Sequence, residues 1–166
     1  MPTHIAELTT YKVRIPLKKK IQHASHTRTF TDSVVVRCRL TNGIEGWGEG
    51  LPRKYVTGET IDDVFPLLKE SPFIAQLAEP LDSLAQAIDF CERIELARPA
   101  NDSRECFGNS ARCAIELSIL DAICRSQEVP LSEITRQYAQ AFSVRSDCET
   151  VQYSAAITSM KPWKQK

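Results

Sequence analysis

The amino-acid sequence predicts an α+β domain in which a three-stranded antiparallel meander precedes a helical bundle. Apolar residues alternate with polar ones in the first 60 residues and recur at helical spacing after them. Strands followed by helices are typical of α+β folds, whereas a doubly wound parallel sheet would alternate the two. The chain has 166 residues, which is enough for one domain with a core of its own.

The first predicted strand covers residues 11–15, where apolar and basic side chains alternate. Pro16 is expected to end it, because proline has no N–H to offer to a neighbouring strand. Residues 21–31 show no periodicity and are predicted to form a loop.

The second predicted strand, residues 33–40, places four apolar side chains on one face: Val34, Val36, Cys38 and Leu40. Asn42 and Gly43 follow it and predict a two-residue hairpin turn with positive φ at both positions. Residues 44–49 then form the third strand, and a meander is the simplest arrangement of the three.

Helices are predicted from residue 60 onward. Thr60 and Asp63 have the spacing of a capping box, which marks a helix start. Pro66 and Pro72 are expected to break the segment that follows into short pieces.

Three further helices are predicted near residues 81–91, 109–125 and 130–138. The second of them has little polar surface and should be mostly buried. Glu116 and Asp121 lie within it, and each needs a partner because a buried acid is costly unless it is paired or hydrogen-bonded.

The composition excludes several classes of protein. Formal net charge is zero, so no basic footprint favours nucleic acid or an anionic membrane, and the lysine run 18–20 is interpreted as solvated. No apolar stretch approaches the roughly 20 residues that span a bilayer. The N-terminus lacks the apolar core of a signal peptide, so we expect a cytoplasmic protein.

Six cysteines are present, and their spacing does not favour a zinc or redox module. No two of them form a C-x-x-C pair, and the three histidines lie far from them in sequence. Cys38, Cys113 and Cys124 fall within apolar patterns, so buried free thiols in a reducing compartment are expected.

Two segments resemble a known family. Residues 32–50, Asp-Ser-Val-Val-Val-Arg-Cys-Arg-Leu-Thr-Asn-Gly-Ile-Glu-Gly-Trp-Gly-Glu-Gly, are similar to the second and third strands of the capping domain in the enolase superfamily, particularly its mandelate racemase and muconate-lactonizing branch. Residues 111–125, Ala-Arg-Cys-Ala-Ile-Glu-Leu-Ser-Ile-Leu-Asp-Ala-Ile-Cys-Arg, resemble the signature helix of that branch, followed by its proline-aliphatic pair at Pro130-Leu131. Ser118 and Cys124 stand where alanine, and glycine or alanine, are common in that helix, so each replaces one small residue with another.

The resemblance implies a division of the chain. Residues 1–142 would form the enolase-like N-terminal capping domain, and residues 143–166 a linker and the first strand of a truncated (β/α)₈ TIM barrel, at 151–157. Lys161 and Lys164 come just after that strand and are interpreted as a solvated tail, because the family's catalytic lysines come from the next strand.

The resemblance also implies an activity for the full-length enzyme. Members of the branch abstract a proton next to a carboxylate, and a divalent metal, usually Mg²⁺, stabilises the resulting enediolate. An isomerase of the muconate cycloisomerase-like or dipeptide epimerase-like kind is favoured, and a sugar-acid dehydratase is an alternative. The catalytic and metal-binding residues would lie on later barrel strands, so none is assigned here and this chain alone is expected to be inactive and to bind no cofactor.

What the chain would contribute is substrate specificity, through two loops that close over the barrel mouth at about residues 21–30 and 49–60. The candidate substrate-binding residues are His23, His26, Arg28, Leu51, Arg53, Tyr55, Thr57 and Gly58. The two arginines offer fork geometry for a second carboxylate, and Tyr55 and Leu51 an apolar wall. The alternatives are that the arginines are merely solvated and that the histidines are loop hydrogen-bonders.

A different class of function stays open, namely a stand-alone domain that binds a partner without catalysis. An apolar strand at 151–157 without a barrel would be an association hazard, so a homo-oligomer or a self-associating fragment is expected. The partner of the full-length enzyme would be a small carboxylate substrate.

Overall fold

The computed structural model describes residues 2–22, 27–97 and 105–143. In these ranges three strands form one antiparallel sheet in the order β1-β2-β3: β1 Ile5–Gln22, β2 Thr27–Leu40 and β3 Glu45–Gly50. Within the described residues four α-helices follow: α1 Ile61–Glu70, α2 Leu84–Glu92, α3 Asn109–Ser126 and α4 Glu133–Gln137. Short 3₁₀ helices occupy Pro72–Gln76 and Ala139–Ser143. The predicted α+β meander and its helices are confirmed.

The first two strands are longer than the sequence indicates. The prediction that Pro16 ends β1 is wrong, because the strand continues to Gln22 with a register shift after Pro16. β1 is an edge strand, where a residue without an N–H is tolerated. The predicted loop over residues 21–31 is also wrong in part, since β2 begins at Thr27. Residues 23–26 lie outside the described part of the chain.

The turn between β2 and β3 has three residues and not two. Gly43 has φ +86°, whereas Asn42 has no positive φ, so the predicted two-residue turn is wrong. The Gly43 N–H donates to the Leu40 carbonyl and the Leu40 N–H to the Ile44 carbonyl, both at 2.9 Å. This pattern is typical of a turn that ends in a left-handed glycine.

The core lies between the sheet and α3. The four predicted inward side chains of β2 (Val34, Val36, Cys38 and Leu40) are buried, as expected. α3 covers β2 and β3, and its carboxylate Asp121 accepts a hydrogen bond from the Trp47 N–H at 2.9 Å. The helix therefore satisfies a backbone donor at the outer edge of β3, which would otherwise offer a template for another strand.

Three glycines of β3 let α3 approach the strand backbone. A Cβ atom on Gly46 would lie 2.1 Å from the Ala122 nitrogen, one on Gly48 2.1 Å from the Ala114 oxygen, and one on Gly50 1.9 Å from the Ser110 oxygen. Real Cβ atoms do not come so close to other atoms, so any side chain here would push the helix off the sheet.

The two proline predictions have different outcomes. Pro72 begins a separate 3₁₀ helix, as expected, but Pro66 lies inside α1, which continues to Glu70. The predicted capping pair at the start of α1 is confirmed, since the Asp63 carboxylate accepts from the Thr60 N–H at 2.7 Å.

The two acids of α3 have the partners that the sequence requires. The Arg112 Nε donates to Glu116 at 2.5 Å, and the Arg125 Nε donates to Asp121 at 2.9 Å. Both pairs join residues four apart on the helix, which places their side chains side by side.

Several predictions fall on residues outside the described ranges: the strand at 151–157, Lys161, Lys164 and Cys148. Across the described ranges, no helix combines the length and the apolar character needed to cross a bilayer.

The cysteines lead to a labelling prediction. Cys38 and Cys91 are buried, and burial raises the pKa of Cys38 to about 12. Cys113 is exposed, so the expectation that it is buried was wrong. We expect iodoacetamide to alkylate Cys113 in the native chain and Cys38 and Cys91 only after unfolding in urea, because the thiolate is the reactive form. Peptide mass mapping checks this, and native alkylation of Cys38 as fast as that of Cys113 would contradict it.

Candidate functional site

A cleft of about 230 Å³ lies where the β1–β2 pair extends beyond the end of β3. We call it the lid cleft, and its lining residues come from β2 and from the segment between β3 and α1: Thr27, Arg28, Thr29, Phe30, Asp32, Pro52, Arg53, Lys54, Tyr55, Thr60 and Ile61. It therefore joins the two loop regions that the sequence singles out, although residues 31–48 separate them in the chain.

The candidate substrate-binding residues occupy different positions around the lid cleft. Arg28, Arg53 and Tyr55 line it. Thr57 and Gly58 lie in the adjoining turn, and Leu51 is 50% exposed without lining the cleft. The candidates His23 and His26 fall outside the described residues.

The guanidinium of Arg53 forms hydrogen bonds within the protein. Its Nη1 donates to the Asp32 carbonyl at 2.8 Å and to the Pro52 carbonyl at 2.7 Å, and its Nη2 donates to the Thr31 hydroxyl at 2.7 Å. In the β2–β3 register, where Val34 faces Gly50, a longer β3 would place Pro52 opposite Asp32. Proline has no N–H, so the Arg53 side chain supplies the donor that the Asp32 carbonyl would otherwise lack.

The backbone of Arg53 also organises the following turn. Its carbonyl accepts from the N–H groups of Val56 and Thr57 at 2.8 Å each and of Gly58 at 3.3 Å. Gly58 has φ +86°, a left-handed conformation that glycine adopts without steric cost. Residues 51–58, the lid turn, are therefore a compact hydrogen-bonded unit.

The one acid among the lining residues is neutralised. Asp32 accepts from Arg14 through two bonds, Nε to Oδ1 at 2.7 Å and Nη2 to Oδ2 at 3.2 Å. The same guanidinium lies 4.4 Å from the centre of the Phe30 ring. Hydrogen bonding to Asp32 raises the pKa of Arg14 above its ordinary value.

Sequence reasoning missed Glu59, which holds the end of the lid turn. It is fully buried, and its Oε1 accepts from the Ser110 N–H at 2.9 Å and from the Ser110 hydroxyl. Its Oε2 is buried without a hydrogen-bond partner among the described residues. Nothing local in the sequence marks this residue, because its partner is 51 positions away.

Both ends of the lid turn meet the same residue of α3. Gly50 packs directly against the Ser110 carbonyl, and the Glu59 carboxylate binds the Ser110 N–H and hydroxyl. The first turn of α3 therefore fixes the points at which this segment leaves and rejoins the domain.

The described residues do not provide a metal site. Within residues 2–22, 27–97 and 105–143, no three His, Cys, Asp or Glu side chains come close enough together to hold an ion. The side chains of this part of the chain do not fit a resident Mg²⁺, so no chemical step through a metal is assigned to them.

The role of Arg53 in the lid turn is testable. We expect Arg53→Gln to lower the free energy of unfolding by about 1–2 kcal/mol, because the Asp32 carbonyl and Thr31 lose their donor. We also expect faster amide hydrogen exchange at residues 56–58, measured by mass spectrometry. The exposed Lys19→Gln is the matched control. Unchanged exchange in the Arg53 variant would contradict this role.

Comparison with known proteins assigns the fold to a family. Residues 5–135 match the family described as "Mandelate racemase / muconate lactonizing enzyme, N-terminal domain". The aromatic dipeptide epimerase of Herpetosiphon aurantiacus is 27% identical over 133 residues, which is 79% of this chain and 34% of that protein. The chain spans about a third of the length of the curated relatives it matches.

Two solved structures share the fold. The L-Ala-D/L-Glu epimerase from Bacillus subtilis has a TM-score of 0.62 at 24% identity, covering 80% of this chain and 34% of that one. The dipeptide epimerase from Methylococcus capsulatus, complexed with Mg and the dipeptide L-Arg-D-Lys, has a TM-score of 0.61 at 22% identity, with coverage of 80% and 34%.

Proposed function

Because the chain belongs to the mandelate racemase and muconate lactonizing enzyme family as its N-terminal domain, we propose that it is the substrate-specificity lid of a larger isomerase. That enzyme abstracts a proton next to a carboxylate, in the manner of a dipeptide epimerase or a muconate cycloisomerase. The epimerase alternative is favoured because relatives such as the Herpetosiphon enzyme are dipeptide epimerases.

The observation that carries the proposal is the lid cleft. Two segments that the family resemblance marks as lid loops are distant in sequence, yet they line one cavity at one end of the sheet. Arg53 ties the second segment to β2, so the cleft wall is preformed and would contact the substrate without first having to order itself.

In this proposal the chemistry belongs to a barrel that follows the domain. Residues 1–142 form the lid, and residues 143–166 are the linker and first barrel strand. Mg²⁺ would be held by the barrel, where it stabilises the developing enediolate charge. The lid would contact the far end of the substrate and exclude water. We further place the enzyme in the cytoplasm, as a homo-oligomer acting on small carboxylates.

The experiment starts from the gene. We would read the DNA beyond the codon for Lys166, express the full reading frame, and follow exchange of the substrate α-proton in D₂O by NMR. We expect exchange with one class of dipeptide or with a muconolactone, and its loss when EDTA removes Mg²⁺. The 166-residue chain serves as the matched control and should show no exchange.

The other outcomes are distinct. A reading frame that closes directly after Lys166 would overturn the enzyme proposal and favour a stand-alone binding domain. If the full-length product dehydrates sugar acids and leaves dipeptides and muconates unchanged, the lid proposal stands. The proposal that the enzyme is an isomerase is then overturned.

A further inference from the structure

The sheet has a second face, which points away from α3 and which we call the outer face. Glycines 46, 48 and 50 of β3 meet α3, so Trp47 points to the opposite side, because neighbouring residues of a strand alternate. Trp47 is 47% exposed there, and Tyr11 of β1 is 38% exposed. The two rings stack with their centres 6.0 Å apart. An exposed aromatic pair on the face of a sheet is typical of an interaction surface.

Charged side chains beside the aromatic pair form one connected cluster on the outer face. Glu7 of β1 lies 2.7 Å from the Arg39 Nη2 and 3.4 Å from the Arg37 Nη2. Glu45 of β3 lies 3.3 Å from the Arg37 Nη1. One acid on each flanking strand thus balances two bases on the central strand β2. These contacts hold the guanidinium groups in place, so little side-chain freedom is left to lose when a partner binds.

The two edges of the sheet do not favour association by strand addition. At the edge of β3, the Trp47 N–H already donates to the Asp121 carboxylate at 2.9 Å. Along β1, Pro16 has no N–H and lysines 18–20 are exposed, and both features discourage pairing with another chain. Association of the sheet is therefore expected at its outer face.

The arrangement of residues on β2 and β3 suits a second copy of the same chain. In the strand register, Arg39 lies opposite Glu45 and Arg37 lies opposite Trp47. A two-fold axis parallel to the strands, between β2 and β3, would place each residue over its register partner in the other copy. Glu45 would then meet the partner's Arg39, and Trp47 would meet the partner's Arg37. The first contact is an ion pair, the second is a cation–π contact, and the symmetry repeats both.

We propose that two copies of this chain associate through their outer faces, as a symmetric dimer with the two sheets in contact and the helices outside. The proposal rests on the homo-oligomer of the proposed function and names its surface and its contacts. Three strands make a small interface, so we expect a dissociation constant on the order of 10 μM and not an obligate dimer.

Sedimentation equilibrium of the 166-residue chain between about 1 and about 200 μM measures the association. We expect Trp47→Gln to weaken the dimer about tenfold or more, because it removes a ring from two contacts. Ile74→Gln is the matched control, since it removes an exposed apolar side chain from the Pro72–Gln76 helix and should leave the dimer unchanged.

A pair of charge variants tests the symmetry of the contact. Arg39→Glu and Glu45→Arg should each weaken the dimer about tenfold, because each places like charges opposite one another twice. An equimolar mixture of the two variants should associate again, since both crossed pairs are then of opposite sign. A variant that had merely lost its fold would not be rescued in this way. Glu70→Arg, which reverses an exposed charge on α1, is the control.

Three results would overturn the proposal: a chain that stays monomeric over this range, a dimer that the charge variants leave unchanged, or weakened variants whose mixture does not associate. An unchanged dimer would place the association elsewhere, for example at residues 151–157. Failure of this surface is distinct from failure of the proposed function. Mg²⁺-dependent proton exchange by the full reading frame would be present in the first case and absent in the second.

Discussion

Gly48→Ala is expected to lower the free energy of unfolding by about 3 kcal/mol or more, or to prevent the chain from folding. The added Cβ would lie 2.1 Å from the Ala114 carbonyl oxygen and 2.6 Å from the Ser118 nitrogen, both backbone atoms of α3. A backbone cannot move aside as a side chain can, so α3 and β3 would have to separate and open the core between them.

Urea unfolding followed by circular dichroism measures this loss. Gly43→Ala is the matched control, since the same methyl group meets nothing within 4 Å there. Its cost arises only from the φ of +86° and should be about 1 kcal/mol. If Gly48→Ala were no more damaging than Gly43→Ala, the close contact between helix and strand would be disproved.

The second large effect is expected from Glu59→Ala, with a loss of about 2–4 kcal/mol in unfolding free energy. The substitution removes the acceptor of the Ser110 N–H and hydroxyl and leaves a hole in a fully buried position. The lid turn would also lose its attachment to α3, so its amide exchange should rise together with the loss of stability.

Three variants make the result specific. Ser110→Ala keeps the backbone donor and should cost only about 1 kcal/mol. Glu70→Ala removes an exposed acid from α1 and should change stability by less than about 0.5 kcal/mol. The double variant of Glu59 and Ser110 should be less damaging than the sum of the two single ones, because the residues share an interaction. Additive losses of unfolding free energy in the double variant, or a small loss in Glu59→Ala alone, would refute the attachment of the lid turn to α3.

Alternation and helical spacing predicted the meander, the buried face of β2 and the extent of α3, because each follows from which side chains meet the core. The length of β1 could not be read in this way. Pro16 looks like a stop signal, yet its position on an edge strand makes the missing N–H harmless. Whether a strand has one neighbour or two is decided by the fold and not by the residues around the proline.

The sequence predicted which regions of the chain form the candidate site, but not what each residue does there. Arg28, Arg53 and Tyr55 do line one cleft, but the partners of Arg53 include a backbone carbonyl 21 residues away. Such a bond depends on how β2 and the end of β3 lie in space, which periodicity does not encode. The alternate glycines 46, 48 and 50 were a usable signal for close helix packing, since glycine on every inward position of a strand leaves a flat surface.

The attachment of the lid turn at Ser110 has a consequence for how such a domain diverges. The turn leaves the domain at Gly50 and returns at Glu59, both beside one residue of α3. Its outer part therefore does not contribute to the packing of the core. Val56 is 55% exposed, so it can be exchanged with little effect on stability. Substitutions in this segment can therefore change the ligand preference while the rest of the fold stays the same.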